Sequence, residues 1–285
     1  MSRTIQLNAL PSSATIYAGV ASTIFKKGKG NLPDVTIQLE KAKITPEILK
    51  KYNISCGFDH QIIVPSTFIH AYVFPIQMQL LSQPDVPFPL AGLVHFANSI
   101  KQHRPLYIGE EFTATCKLGN LIAHEKGQAF EVVSYADVNG KRIWEDTSIY
   151  LFKGKEGIGS VLDWVQPELH QNCIKETWKL HKNLGFEFAM ASGDFNPIHL
   201  HPLSAKLFGF DRHIAHGMWN VGRILSKLEN RIPTSYEFTV LFKTPIYLPS
   251  DVIFRYEKTT EGFDFDIVDK TQEKPHLKGY INKLS

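Results

Sequence analysis

The chain has 285 residues with 43% hydrophobic and 21% charged side chains and a formal net charge of +3. This is a globular composition, long enough for one large or two modest domains, and it excludes a disordered chain. The charge is too small and too scattered for a nucleic-acid surface. Three widely spaced cysteines, Cys56, Cys116 and Cys173, form no Cys-x-x-Cys pair, so neither a disulfide framework nor a thiolate zinc site is indicated.

Residues 1–30 contain the mildly apolar run SATIYAGVASTIF, shorter than the ~20 residues of a membrane span and without the build of a secretory signal. They are expected to form a loosely ordered leader of a cytoplasmic protein. From residue 31 the chain repeats itself. RPLYIGEEFTATCKL from Arg104 and TPIYLPSDVIFRYEK from Thr244 share a Pro, an aliphatic, a Tyr and then an alternating strand. Phe112, Ala114, Cys116 and Leu118 alternate with polar residues in the first copy, and Val252, Phe254 and Tyr256 do so in the second. A hairpin follows each, the first through Asn139-Gly140, which suits a type I′ turn.

An apolar helix precedes each strand block. STFIHAYVFPIQMQLL is expected to be kinked or divided by Pro75. Met218, Val221, Leu225 and Leu228 lay a continuous stripe along a helix starting near His216. The pattern predicts a two-domain α+β chain: residues 31–153, a linker at 154–172 rich in Gly, Pro and polar residues, and residues 173–285.

The halves differ at ASGDFNPIHL, residues 191–200, which the first half lacks. On a continuous helix, Asp194 and His199 would stand about 140° apart. Gly193 is a natural helix terminator and Pro197 pushes Asn196 out of the helical region, so the chain turns, and a turn can aim Asp194, Asn196 and His199 at one point. An acid, an amide and an imidazole around a point suit the holding, deprotonation and protonation of a water. Gly217, where the long helix begins, offers a backbone N–H at the positive end of the helix dipole, an oxyanion site. The bland readings are that Asp194 and Asn196 cap the turn, that His201, His213 and His216 serve local hydrogen bonds, and that His70 sits satisfied in the core. Asp59-His60 reads as ordinary loop. A zinc site from His199, His201, His213 and His216 matches no known ligand spacing, and Cys173 has no base partner.

ASGDFNPIH followed by GFDRHIAHGM resembles the motif of the MaoC-like, (R)-specific enoyl-CoA hydratases, over about Ala191 to Met218. The resemblance implies a tandem (double) hotdog, each copy a long central helix wrapped by an antiparallel sheet. The second hotdog would be catalytic, and the first a degenerate copy that shapes the acyl pocket. By the same resemblance Asp194 and His199 form the acid–base pair of a syn hydration between trans-2-enoyl and (R)-3-hydroxyacyl thioesters. Asn196 orients the water, and Gly217 donates to the thioester oxygen. No metal or redox cofactor is implied. Trp219 is placed to fill part of the acyl tunnel. The substrate carrier is coenzyme A or, alternatively, acyl carrier protein. A non-catalytic acyl-thioester-binding protein and a hotdog thioesterase are the other readings, and a monomer or a homodimer of double hotdogs fits the tandem copies.

Overall fold

A computed structural model describes residues 2–60 and 62–284. The strands are β1 (Arg3–Leu7), β2 (Val35–Lys43), β3 (Ile63–Val64), β4 (Leu93–Gln102), β5 (Leu106–Tyr107), β6 (Glu111–His124), β7 (Gly127–Val138), β8 (Lys141–Lys153), β9 (Ser160–Val161), β10 (Ile174–Leu180), β11 (Tyr236–Phe242), β12 (Ser250–Lys258), β13 (Gly262–Asp269) and β14 (Pro275–Lys283). The helices are α1 (Ser13–Ser22), α2 (Pro46–Cys56), α3 (Ser66–Leu81), α4 (Leu184–Ser192), α5 (Pro202–Lys206) and α6 (Gly217–Leu228).

Two sets of antiparallel strands join edge to edge in one sheet, in the order β1-β2-β6-β7-β8-β4-β11-β14-β13-β12-β10. The seam is the antiparallel pairing of β4 with β11, with Tyr236 opposite Gln102 and Leu241 opposite Ala97. Alternation drives each half. In β6 and β7 the residues Phe112, Ala114, Phe130, Val132 and Ala136 all turn inward and are buried. The β7–β8 turn has Asn139 at φ 50° and Gly140 at φ 72°, the geometry expected of Asn-Gly.

α3 lies in the concave face of the first half, and α6 in that of the second, where Val221, Ile224, Leu225 and Leu228 are buried. The apolar stripe foreseen in the sequence is therefore a face of α6 turned into the core, with Val221, Leu225 and Leu228 buried and Met218 half-buried. Pro75 does not divide α3, which runs unbroken for 16 residues. A proline removes one N–H and costs a helix ~3 kcal/mol. The core burial of Val73, Ile76, Leu80 and Leu81 around it outweighs that cost.

The first thirty residues also differ from the expected loose leader. β1 pairs in parallel with β2, and α1, capped by the Ser12 side chain accepting from Thr15 N–H, packs on α3. Lys26 ties this segment down by donating to the carbonyls of Leu81 and Gln83 at the C-terminal end of α3. Across residues 154–172, β9 pairs with β6, while Leu162 and Trp164 pack on a small apolar cluster of Ala97, Ile122, Ala129, Ile149, Leu151 and Leu241. No helix among the described residues is long and apolar enough to cross a membrane.

Candidate active site at the start of α6

The polar segment is shaped by its breakers. α4 ends at Gly193, in the left-handed region at φ 80°, with its N–H donating to Ala189 O at 2.8 Å. Asp194 Oδ1 then accepts the Asn196 N–H at 3.1 Å, and Asn196 Oδ1 accepts the Ile198 N–H at 3.3 Å. These two turns carry the chain into a short 3-10 turn, Pro197–His199, and deliver His199 to the interior, 7% exposed.

His199 Nδ1 donates to the carbonyl of Ile214 at 2.8 Å. A carbonyl accepts only, so the proton sits on Nδ1 and the lone pair on Nε2. His216, the residue before α6, stacks on His199 with ring centroids 3.6 Å apart. Its Nε2 donates to the Asp194 carbonyl at 3.0 Å and lies 3.8 Å from the Asp194 carboxylate. Burial, and then the His216 ring, lower the His199 pKa to about 3. Burial likewise lowers His216 to about 4, so both rings are neutral at neutral pH.

Asp194, His199 and His216 present potential ligand atoms within 4.8 Å of one another. Yet the His216 nitrogen that faces Asp194 carries a hydrogen, which leaves His199 Nε2 and a carboxylate as free donors. That is fewer than the three protein ligands of a catalytic zinc site. The set is better suited to a water than to a cation.

Gly217 opens α6, and its N–H belongs to the first turn, which has no intrahelical acceptor. A Cβ there would stand 2.9 Å from the Phe242 ring, so that ring packs directly against Gly217 and leaves no room for a side chain. Trp219 does not crowd the same face. Two positions along a helix is about 200° of rotation, and its indole N–H donates to Ser55 O at 2.9 Å on the far side. Its ring is buried edge-on against Trp178.

The structure thus brings together Asp194, His199 and the start of α6 at Gly217. Asn196 stands apart: it is exposed, with its oxygen used as the cap of the 3-10 turn. His216 is the site residue that sequence reasoning passed over, since its ring reaches His199 only through the fold. His213 donates to Lys182 O and His201 caps α5, both local roles. His60 pairs with Glu229 at 2.7 Å, and His70 lies in the core against Asp146. A second contributor from far away in sequence is Tyr17 of α1, whose hydroxyl donates to Phe195 O at 3.4 Å. Burial and the Asp194 charge push its pKa up.

Residues 172–279 match the family model of the MaoC like domain. The chain is 28% identical over 254 residues to 3-hydroxyacyl-thioester dehydratase X of Mycobacterium tuberculosis, covering 89% of this chain and 91% of that one. It is 33% identical over 76 residues to the (R)-specific enoyl-CoA hydratase of Aeromonas caviae, 25% of this chain and 57% of that one. Among solved structures, HtdX of Mycobacterium tuberculosis superposes with a TM-score of 0.77 at 27% identity, over 87% of this chain and all of that one (100%). A MaoC-like dehydratase from Phytophthora capsici shares the fold, with a TM-score of 0.69 at 17% identity over 90% of this chain and 96% of that one. The two halves are accordingly a tandem hotdog, and residues 172–279 carry a MaoC like domain.

Proposed function

We propose that this chain catalyses the reversible syn hydration of a trans-2-enoyl thioester to the (R)-3-hydroxyacyl thioester. The observation that carries the reading is the bare Nε2 of a neutral, buried His199 beside Asp194 at the open N-terminus of α6. The thioester carbonyl accepts from the Gly217 N–H, where the helix dipole favours the charge that develops on an enolate oxygen. A water lies between His199 Nε2 and the Asp194 carboxylate. As its oxygen bonds to C3, its proton passes to the acid–base pair, and the pair returns a proton to C2 on the same face. The Ile214 carbonyl fixes the His199 tautomer, and His216 holds the Asp194 backbone in place. Asn196 supports the site through its cap of the 3-10 turn that delivers His199.

In this reading residues 173–285 form the catalytic hotdog, and residues 31–153 a degenerate one that shapes the acyl pocket. An acyl-CoA is the simplest substrate. An acyl carrier protein thioester is the alternative carrier, and comparison of turnover on free and carrier-bound enoyl chains separates the two. The names of the two relatives, a 3-hydroxyacyl-thioester dehydratase and an enoyl-CoA hydratase, support the reaction class. The test is loss of enone absorbance from a chain-length series of trans-2-enoyl-CoAs. Hydration supports the reading. Binding without turnover of either carrier form would make the protein a thioester-binding hotdog, and release of free thiol would make it a thioesterase.

A further inference from the structure

A hotdog core needs no charge, yet the first half buries one. Asp146 is fully buried (0% exposed), against His70 and Gln77 of α3. Its carboxylate accepts from His70 Nδ1 at 3.2 Å, from Gln77 Nε2 at 3.3 Å and from Asn98 Nδ2 at 2.5 Å. Burial alone would raise the carboxyl; the adjoining His70 and the hydrogen bonds from His70, Asn98 and Ser148, the last at 2.9 Å, hold it below its ordinary value, so it is ionised. A buried ion costs several kcal/mol unless fully partnered, and apolar residues of similar volume often fill such a place at no loss. The pocket-forming half therefore carries a polar centre that its own folding does not require.

The set is incomplete on one side. Asn98 Oδ1 and His95 Nε2 are buried and have no hydrogen-bond partner among the described residues. Unpartnered buried polar atoms are rare in folded proteins, and each calls for a water, a ligand or a functional reason. Their place answers the question. The half-buried His95 ring stacks 5.1 Å from Tyr150 and 5.8 Å from His70, and lies 5.3 Å from Phe242. Phe242 is the ring that stands against Gly217. The His95 ring is thus one aromatic ring away from the backbone donor assigned to the thioester carbonyl, and Asn98 is tied to it through Asp146 and His70.

Resting on the thioester reading above, we infer that His95 and Asn98, backed by Asp146, form a polar subsite for a neutral hydrogen-bond-donating group, a hydroxyl, on the acyl tail of the substrate. The chemistry selects the group. Asn98 Oδ1 only accepts, so the ligand must donate. Burial, and then His70, lower His95 to about 3, so its ring is neutral and its unpartnered Nε2 accepts or donates according to the tautomer. The Asp146 charge behind them repels a carboxylate and leaves a bare ketone without a donor to satisfy Asn98. A hydroxyl both donates and accepts.

The experiment compares trans-2-enoyl-CoAs of equal length with and without a hydroxyl at successive tail carbons, alongside a chain too short to reach the subsite. The expected result is a ratio of kcat/KM, hydroxylated over unsubstituted, of tenfold or more at one or two adjacent positions. His95→Phe keeps the aromatic stack and should collapse that ratio, and His95→Gln should restore part of it. A ratio at or below one at every position in the wild-type protein overturns the inference, whatever the variants do, and so does a ratio unchanged in folded His95→Phe. These results leave the hydratase reading standing if the short chain is hydrated. Absence of hydration of every chain, the short one included, overturns both.

Discussion

An imidazole that takes a proton from water at neutral pH must be unprotonated there, and His199 is kept so by burial and by the ring of His216. The folded protein binds protons at His199 and His216 only near pH about 3 and about 4, whereas an unfolded imidazole binds one near 6.5. Two outcomes follow. The acid limb of kcat/KM is expected well below pH 6.5, and a limb at the ordinary imidazole value in a pH–rate profile would contradict the burial argument. Stability is also linked. The groups favour the fold above the unfolded pKa, and that contribution is lost as pH falls from about 6.5 toward about 4, with a slope approaching ~1.4 kcal/mol per pH unit for each ring. Thermal melts across that range should show a falling Tm, and replacing His216 by Gln should flatten the fall. At Gly217, an added methyl meets the Phe242 ring at 2.9 Å, which displaces the ring or the carbonyl of the substrate. Gly217→Ala should lower kcat/KM by about 10²-fold, the scale of a lost oxyanion donor, and unchanged kinetics in a folded variant would remove Gly217 from the site.

At the scale of elements, the site depends on a helix from the other half. α2 ends against α6, where Arg223 and Ser226 donate to the Cys56 carbonyl and Trp219 donates to that of Ser55. These α6 side chains satisfy carbonyls that a helix C-terminus leaves open. The approach is close enough that a Cβ on Gly222 would stand 2.8 Å from both Cys56 Sγ and Tyr52 Oη. Gly222→Val is therefore expected to destabilise the protein by about 1–3 kcal/mol, measured by denaturant unfolding, through overpacking; a neutral effect would show that the helices are not held together here. The elements were legible where one period dominates. The Met218 to Leu228 stripe marks α6, and Asn139-Gly140 marks the hairpin, because helix and turn geometry act locally. Asp194 and His199 were legible because Gly193 and Pro197 break the chain on either side of the acid. His216 and Tyr17 left no comparable mark: each reaches the site by packing between distant segments. Pro75 does not divide α3 for the same reason, since its local penalty is outweighed by burial that only the tertiary structure supplies.

For the whole molecule, the decisive feature is the seam. β4 pairs with β11 along six registered residues from Tyr236 to Leu241, Ser99 donates to Glu237, and the buried Tyr236 hydroxyl donates to Ser66 Oγ on α3. With α2 docked on α6 as well, the two halves are expected to unfold together. Unfolding followed by tryptophan fluorescence, from Trp144 in the first half and Trp178 and Trp219 in the second, should coincide with loss of secondary structure in one transition. Two separated transitions would show that the halves fold alone. The repeat of the Arg104 and Thr244 segments foretold two similar units. It could not show that their edges pair within one chain, because strand partners lie far apart in sequence.

The central claim is that Asp194 and His199 activate a water beside an enoyl thioester held at Gly217. The most direct measurement is hydration of trans-2-enoyl-CoA by the wild-type protein and by folded Asp194→Asn and His199→Ala variants. Turnover is expected in the wild type, with a loss of about 10²- to 10⁴-fold in each variant, the range of positioned proton transfer. Turnover that survives in both variants would contradict the claim, and would place the chemistry on other residues.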